Sequence, residues 1–127
     1  MTMIDVVPVM GKDIAIVNAD APVIKDYKSA KDFMIMIKNN AKTDFFCMNI
    51  EGLTEDFFDL ETKLADNILD LYKNYHMKVA FFGDTAKYTE GNIPLQEYIQ
   101  EVNKGFDAFI VLDQEEAVKC LTKVSDE

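Results

Sequence analysis

Asp20, Glu51, Asp84 and Asp113 each follow a short apolar run of the chain. In open α/β sheets ligands bind outside the carboxyl ends of the strands. Oxygen-bearing side chains gathered there can hold Mg²⁺. That supports one reading, a small-molecule or nucleotide-binding enzyme that uses strand-end carboxylates with Mg²⁺. The same residue types are ordinary helix caps and loop residues. Other catalytic signatures are missing. His76 is the single histidine, so no two-histidine site can form. It follows a helical pattern at Tyr75-His76-Met77, where a C-terminal cap is the plainer role. Cys47 and Cys120 lack the spacing of a zinc pair. The glycines at 11, 52, 83, 91 and 105 do not make a phosphate loop. The residues therefore predict no metal, no cofactor and no catalysis.

Candidate residues need elements to position them. Phe45 to Ile50 is an apolar run, and Val79 to Phe82 is another. Between them apolar residues recur at 57, 60, 64, 68, 71, 72 and 75, the period of a helix. One continuous helix over 57–75 is the expectation. Two buried strands joined by such a helix form a parallel crossover. Met3 to Val9 reads as a strand, and Pro8 within it marks a sheet edge. Met10 to Asp13 is a tight connection into a second strand at 14–17, giving a hairpin. Ser29 is the expected cap of a helix with Ala30, Phe33, Met34 and Ile37 on its face. A polar loop runs from Asp84 to Asn92. Pro94 opens a further helix through Leu95, Tyr98, Ile99 and Val102, ending at Gly105. A strand at 109–112 and a helix from Gln114 to Thr122 complete the pattern. Ser125 to Glu127 reads as a frayed tail. The fold class is α/β, in the order β-β-α-β-α-β-α-β-α. The sheet is mostly parallel and five-stranded, with the N-terminal hairpin as its antiparallel edge. One domain over 1–127 is expected, with four helices.

Composition narrows the partners. Hydrophobic residues are 49% of 127, enough to bury a core. A formal net charge of −10 disfavours nucleic acid and anionic membrane surfaces, since phosphate binding rests on lysine and arginine. A basic protein partner suits it better. The opening residues lack a positive region followed by an apolar one, and two cysteines make no disulfide framework. Both point to the cytoplasm. Phe33 to Ile37 is continuously apolar, so Ile35 or Met36 should face water on the far side of its helix. A weak homodimer through Met36 would cover it.

Phe57-Phe58-Asp59-Leu60, Thr62, Leu64-Ala65 and Ile68-Leu69 resemble a small bacterial family, domain-of-unknown-function family 4180. The likeness continues through Asn74-Tyr75, Gly83-Asp84, Tyr88, Tyr98-Ile99, Asn103 and Glu115-Glu116-Ala117, covering roughly residues 12 to 121. It implies no activity. The element order also resembles the STAS fold of sulfate transporters and anti-sigma factor antagonists. Against that motif Thr62 falls where the phosphorylated hydroxyl stands, although Lys63 replaces its glycine. The resemblance implies a non-catalytic regulatory domain that docks a protein partner. The contact surface is then the loop at 52–62 and the start of the long helix. Asp59, Thr62, Gly83, Asp84 and Tyr88 are the partner- or ligand-binding candidates, and Thr62 is the candidate phosphoacceptor.

Overall fold

A computed structural model describes residues 2–122. The tail expected at Ser125 to Glu127 lies outside the described residues. Continuous apolar runs form the strands, because most strands are buried on both faces. They are β1 (Met3–Val9), β2 (Lys12–Asn18), β3 (Phe45–Asn49), β4 (Lys78–Phe82) and β5 (Ala108–Val111). The helices are α1 (Tyr27–Met36), α2 (Leu64–Asn74), a single turn α3 (Ala86–Thr89), α4 (Ile93–Asn103) and α5 (Gln114–Leu121). The sheet order is β1-β2-β3-β4-β5, antiparallel at β1–β2 and parallel elsewhere. The α/β architecture read from the sequence is the one observed.

Sequential order with right-handed crossovers puts α1, α2 and α4 on one face of the sheet. There Ala15, Val17, Phe46, Met48, Val79 and Phe81 meet Phe33, Met34, Ile37, Ile68, Leu71, Tyr72 and Leu95. α5 covers the other face through Ala117 and Leu121, against Ile14, Ile16, Cys47, Ala80 and Phe109. The Tyr72 hydroxyl is buried and donates to the Ala30 carbonyl at 3.0 Å, tying α2 to α1.

Three local expectations need correction. The segment 57–75 is not one helix. Only 64–74 is α-helical, and 50–62 is a series of 3₁₀ turns. The apolar spacing persists across the break, so Phe57, Ile68, Leu71 and Tyr72 are still buried. Asp26, not Ser29, caps α1. Asp26 Oδ1 accepts the Ser29 N–H at 2.8 Å, and Ser29 Oγ accepts the Asp26 N–H at 2.9 Å. This reciprocal box puts Ser29 three residues inside. The Ser29 N–H also holds the Asp26 carboxyl below its ordinary pKa. Last, the loop after β4 contains α3, making five α-helices among the described residues. Of the two side chains expected to face water on α1, Ile35 is exposed and Met36 is half-buried against the core.

His76 does end α2. It adopts a left-handed conformation, φ 62°. Its N–H reaches the Lys73 carbonyl at 3.1 Å, and the Met77 N–H reaches that of Tyr72 at 2.8 Å. This is a Schellman ending with histidine where glycine is usual.

Two asparagines act as short pieces of strand. Asn49 Oδ1 accepts the Ala19 N–H at 2.8 Å, and its Nδ2 donates to the Ala19 carbonyl at 2.7 Å. Asn103 treats Ile110 in the same way, at 2.7 and 2.9 Å. Each amide satisfies a backbone donor and acceptor that no neighbouring strand reaches. Replacing Asn103 by alanine removes two bonds worth about 1 kcal/mol each. We expect Asn103→Ala to lower the urea midpoint by the equivalent of about 2 kcal/mol with an unchanged slope. An unshifted midpoint would show that the pair contributes nothing.

Candidate functional site

The carboxyl ends of β2, β3 and β4 lead into loops that are stitched together. The Val23 and Ile24 N–H groups both reach the Gly52 carbonyl, at 2.8 and 2.9 Å, and the Thr54 N–H returns to Ile24. Gly52 and Gly83 are glycines because the loops cross closely. A Cβ on Gly52 would stand 2.3 Å from Met48 Sδ, and one on Gly83 would stand 2.7 Å from Ile50. Gly83 also holds φ at 147°, open to glycine alone at little cost. Its role is therefore close packing beside the site.

After Gly52 the chain makes 3₁₀ turns at Glu55–Phe58 and Leu60–Thr62. Local side chains compete with the helix here. Asp59 is extended, and its carboxylate accepts the Glu61 N–H at 3.0 Å. The Thr62 hydroxyl lies 2.8 Å from both the Asp56 and Asp59 carbonyls and accepts the Leu64 N–H at 3.1 Å. Lys63 is left-handed, φ 59°, so α2 begins only after it.

Two open clefts flank these turns. The larger, about 560 Å³, lies between 55–61 and the segment 87–94. The smaller, about 410 Å³, lies over the ends of β2, β3 and β4. Glu55, Lys87 and Tyr88 line both. The Tyr88 ring stacks on Phe58, centroids 4.3 Å apart and 12° from parallel. Lys87 Nζ stands 5.0 Å from the Tyr88 centroid and 3.8 Å from Glu55 Oε2. Asp56, Asp59 and Glu61 line the larger cleft, and Asp20, Glu51 and Asp84 the smaller. The rim is acidic, and Lys87 is the lysine lining both clefts.

Of the candidates, Asp59 and Tyr88 line the larger cleft, and Asp84 shares the smaller with Tyr88. Thr62 lines neither but anchors the wall that carries Asp56 and Asp59. Phe58, Glu55 and Lys87 were not singled out by the sequence. Phe58 stood only in the family likeness and Glu55 only within the loop at 52–62, and Lys87 had no signal.

The strand-end carboxylates do local work. Asp84 accepts the Ala86 N–H, Asp113 that of Glu116, and Glu51 the Asn49 amide. Among the described residues no group of three or more histidine, cysteine or acidic side chains could hold a metal ion. Among them no helix is long and apolar enough to cross a membrane.

The family model described as domain of unknown function (DUF4180) matches residues 9–121. The chain belongs to the DUF4180 family. No curated protein matches it. The match spans β2 to α5, so both clefts lie within this DUF4180 region.

Cys47 lies in the sheet of the DUF4180 region without any exposed surface, and burial pushes its thiol up to about 12. A buried thiol raised in this way stays protonated near neutral pH and is a poor nucleophile. In the native protein we expect a thiol reagent at pH 8 to reach Cys47 only at the rate of global unfolding. Fast labelling of Cys47 in the native state would contradict its burial.

Proposed function

We propose that this chain is a non-catalytic regulatory domain that docks a basic segment of a protein partner. The docking face is formed by the loops at 50–62 and 83–92. The observation that carries this reading is the double cleft. Carboxylates surround a stacked aromatic pair, Phe58 and Tyr88, without converging on a point. Aromatic anchors inside a polar rim are the usual anatomy of a protein contact. An acidic rim speeds and orients the approach of a basic partner. The net charge of −10 and the STAS-like element order favour the same reading. An enzyme using strand-end carboxylates with Mg²⁺ is not favoured, because each of Glu51, Asp84 and Asp113 serves a local hydrogen bond.

Phosphorylation of Thr62 is the proposed control. Esterifying its oxygen removes the hydroxyl donor that binds Thr62 back to the Asp56 and Asp59 carbonyls and so holds the turns at 55–62 together. It also adds nearly two negative charges beside Asp56, Asp59 and Glu61. The cleft wall should then loosen and release the partner.

An N-acetylated lysine–glycine octapeptide is a suitable probe, followed by NMR titration. We expect shift changes concentrated at 50–62 and 83–92, weakening between about 50 and about 300 mM salt as screening grows. Glu55→Lys combined with Asp59→Lys should weaken binding by roughly tenfold, or about 1.4 kcal/mol. Glu97→Lys, away from the clefts, should act only through net charge. Thr62→Val and Thr62→Glu should both weaken binding, since each loses the tie. Shift changes spread evenly over all acidic surfaces would contradict the proposal.

A further inference from the structure

The two edges of the sheet differ, and backbone hydrogen bonding shows how. The Gly83 N–H reaches the Val111 carbonyl and the Val79 N–H reaches that of Asp107. Residues 107, 109 and 111 therefore face β4, and Ala108 and Ile110 face outward. Asn103 takes both Ile110 groups, so the β5 edge is sealed at its centre. At the other end, Asp13 and Ala19 of the β2 segment bond toward β3, through Thr43 and Asn49. Alternation then turns residues 12, 14, 16 and 18 toward β1. Their partners Val9, Val7, Asp5 and Met3 face β2. Ile4, Val6 and Pro8 present their backbone groups outward.

This outer row is open. Pro8 has no N–H to offer, and among the described residues the Ile4 and Val6 donors and acceptors have no further strand beside them. An unpaired strand edge is a template for another strand. The hairpin is also apolar at its surface. Met3, Val6 and Met10 are 62, 44 and 82% exposed. Met3 to Val9 holds a single charge, Asp5, in a chain of net −10.

We infer that β1 is a homodimer interface, pairing antiparallel with β1 of a second copy about a two-fold axis through Val6. The register is self-complementary. Val6 exchanges both backbone bonds with Val6 of the second copy. Each Ile4 N–H meets the other chain's Pro8 carbonyl, and the missing Pro8 N–H leaves only the Ile4 carbonyl to water. Asp5 falls opposite Val7, and Met3 opposite Val9, so like charges never face each other directly. Such an isologous contact closes on itself and extends the two sheets into one. A second copy suits this edge because its charge lies elsewhere on the chain. The pairing strand is β1, whereas the clefts are lined by other segments of the chain, so the inference stands apart from the docking proposal.

Analytical ultracentrifugation over a concentration series tests it, with thermal melting to verify folding. The wild-type chain should dimerise reversibly. Val6→Lys places two ammonium groups across the axis, and Val6→Pro removes the outward donor while sparing the bonds to β2. Each should weaken the dimer by tenfold or more. Should Val6→Pro fail to fold, Val6→Lys decides. Met36→Lys, on the half-buried side of α1, should leave the dimer intact. A wild-type monomer up to millimolar concentration would overturn the inference. So would a dimer that survives both Val6 substitutions.

Discussion

A run of six touching aromatic rings connects the centre of the protein to its clefts. Phe33 of α1 meets Phe46 of β3 edge-on at 5.3 Å, and Phe46 meets Phe81 of β4 at 6.2 Å. Phe81 meets Phe57 at 5.6 Å, Phe57 meets Phe58 at 5.2 Å, and Phe58 stacks on Tyr88. Tyr72 joins the run at Phe46. Edge-on and stacked ring pairs add roughly 0.5–1.5 kcal/mol each beyond the area they bury. Phe46, Phe57 and Phe81 are essentially inaccessible. The turns at 55–62 lack the hydrogen bonding of a long helix. Their position is set by two aromatic anchors in the core and by the hydroxyl of Thr62.

That arrangement explains where sequence reading succeeded and where it stopped. The strands were legible because burial on both faces leaves unbroken apolar runs, such as Phe45 to Met48. The face of α1 was legible because Ala30, Phe33, Met34 and Ile37 keep the helical period. The same period misled at 57–63. Phe57 and Leu60 keep the spacing of a helix, but Asp59 and Thr62 bond to nearby backbone and Lys63 turns left-handed. Periodicity reports which side chains are buried, and several backbone paths satisfy it. Asn49 left no signal and Asn103 only its place in the family likeness, since an amide bonding a distant backbone has no local pattern. Asp59, Asp84 and Tyr88, candidates from the sequence, line the clefts, and their grouping with Phe58, Glu55 and Lys87 depends on loops that only the fold brings together.

The two ends of the sheet differ in structure. At the amino end of β4, His76 and Met77 close α2 with backbone bonds. At the carboxyl end the loops leave open clefts, tethered by Asn49, Gly52 and Gly83 at close crossings. Carboxylates there serve as local caps and line the clefts at the same time.

The aromatic run holds the turns at 55–62 and the loop at 83–92 in place. Amide hydrogen exchange on Phe57→Leu tests it most directly, because leucine keeps the site apolar while deleting both ring contacts. Exchange should become faster at 53–64 and 84–92, with β3 and β4 still protected to nearly the wild-type extent. Unchanged exchange in both loops, or an equal loss of protection in every strand, would contradict it.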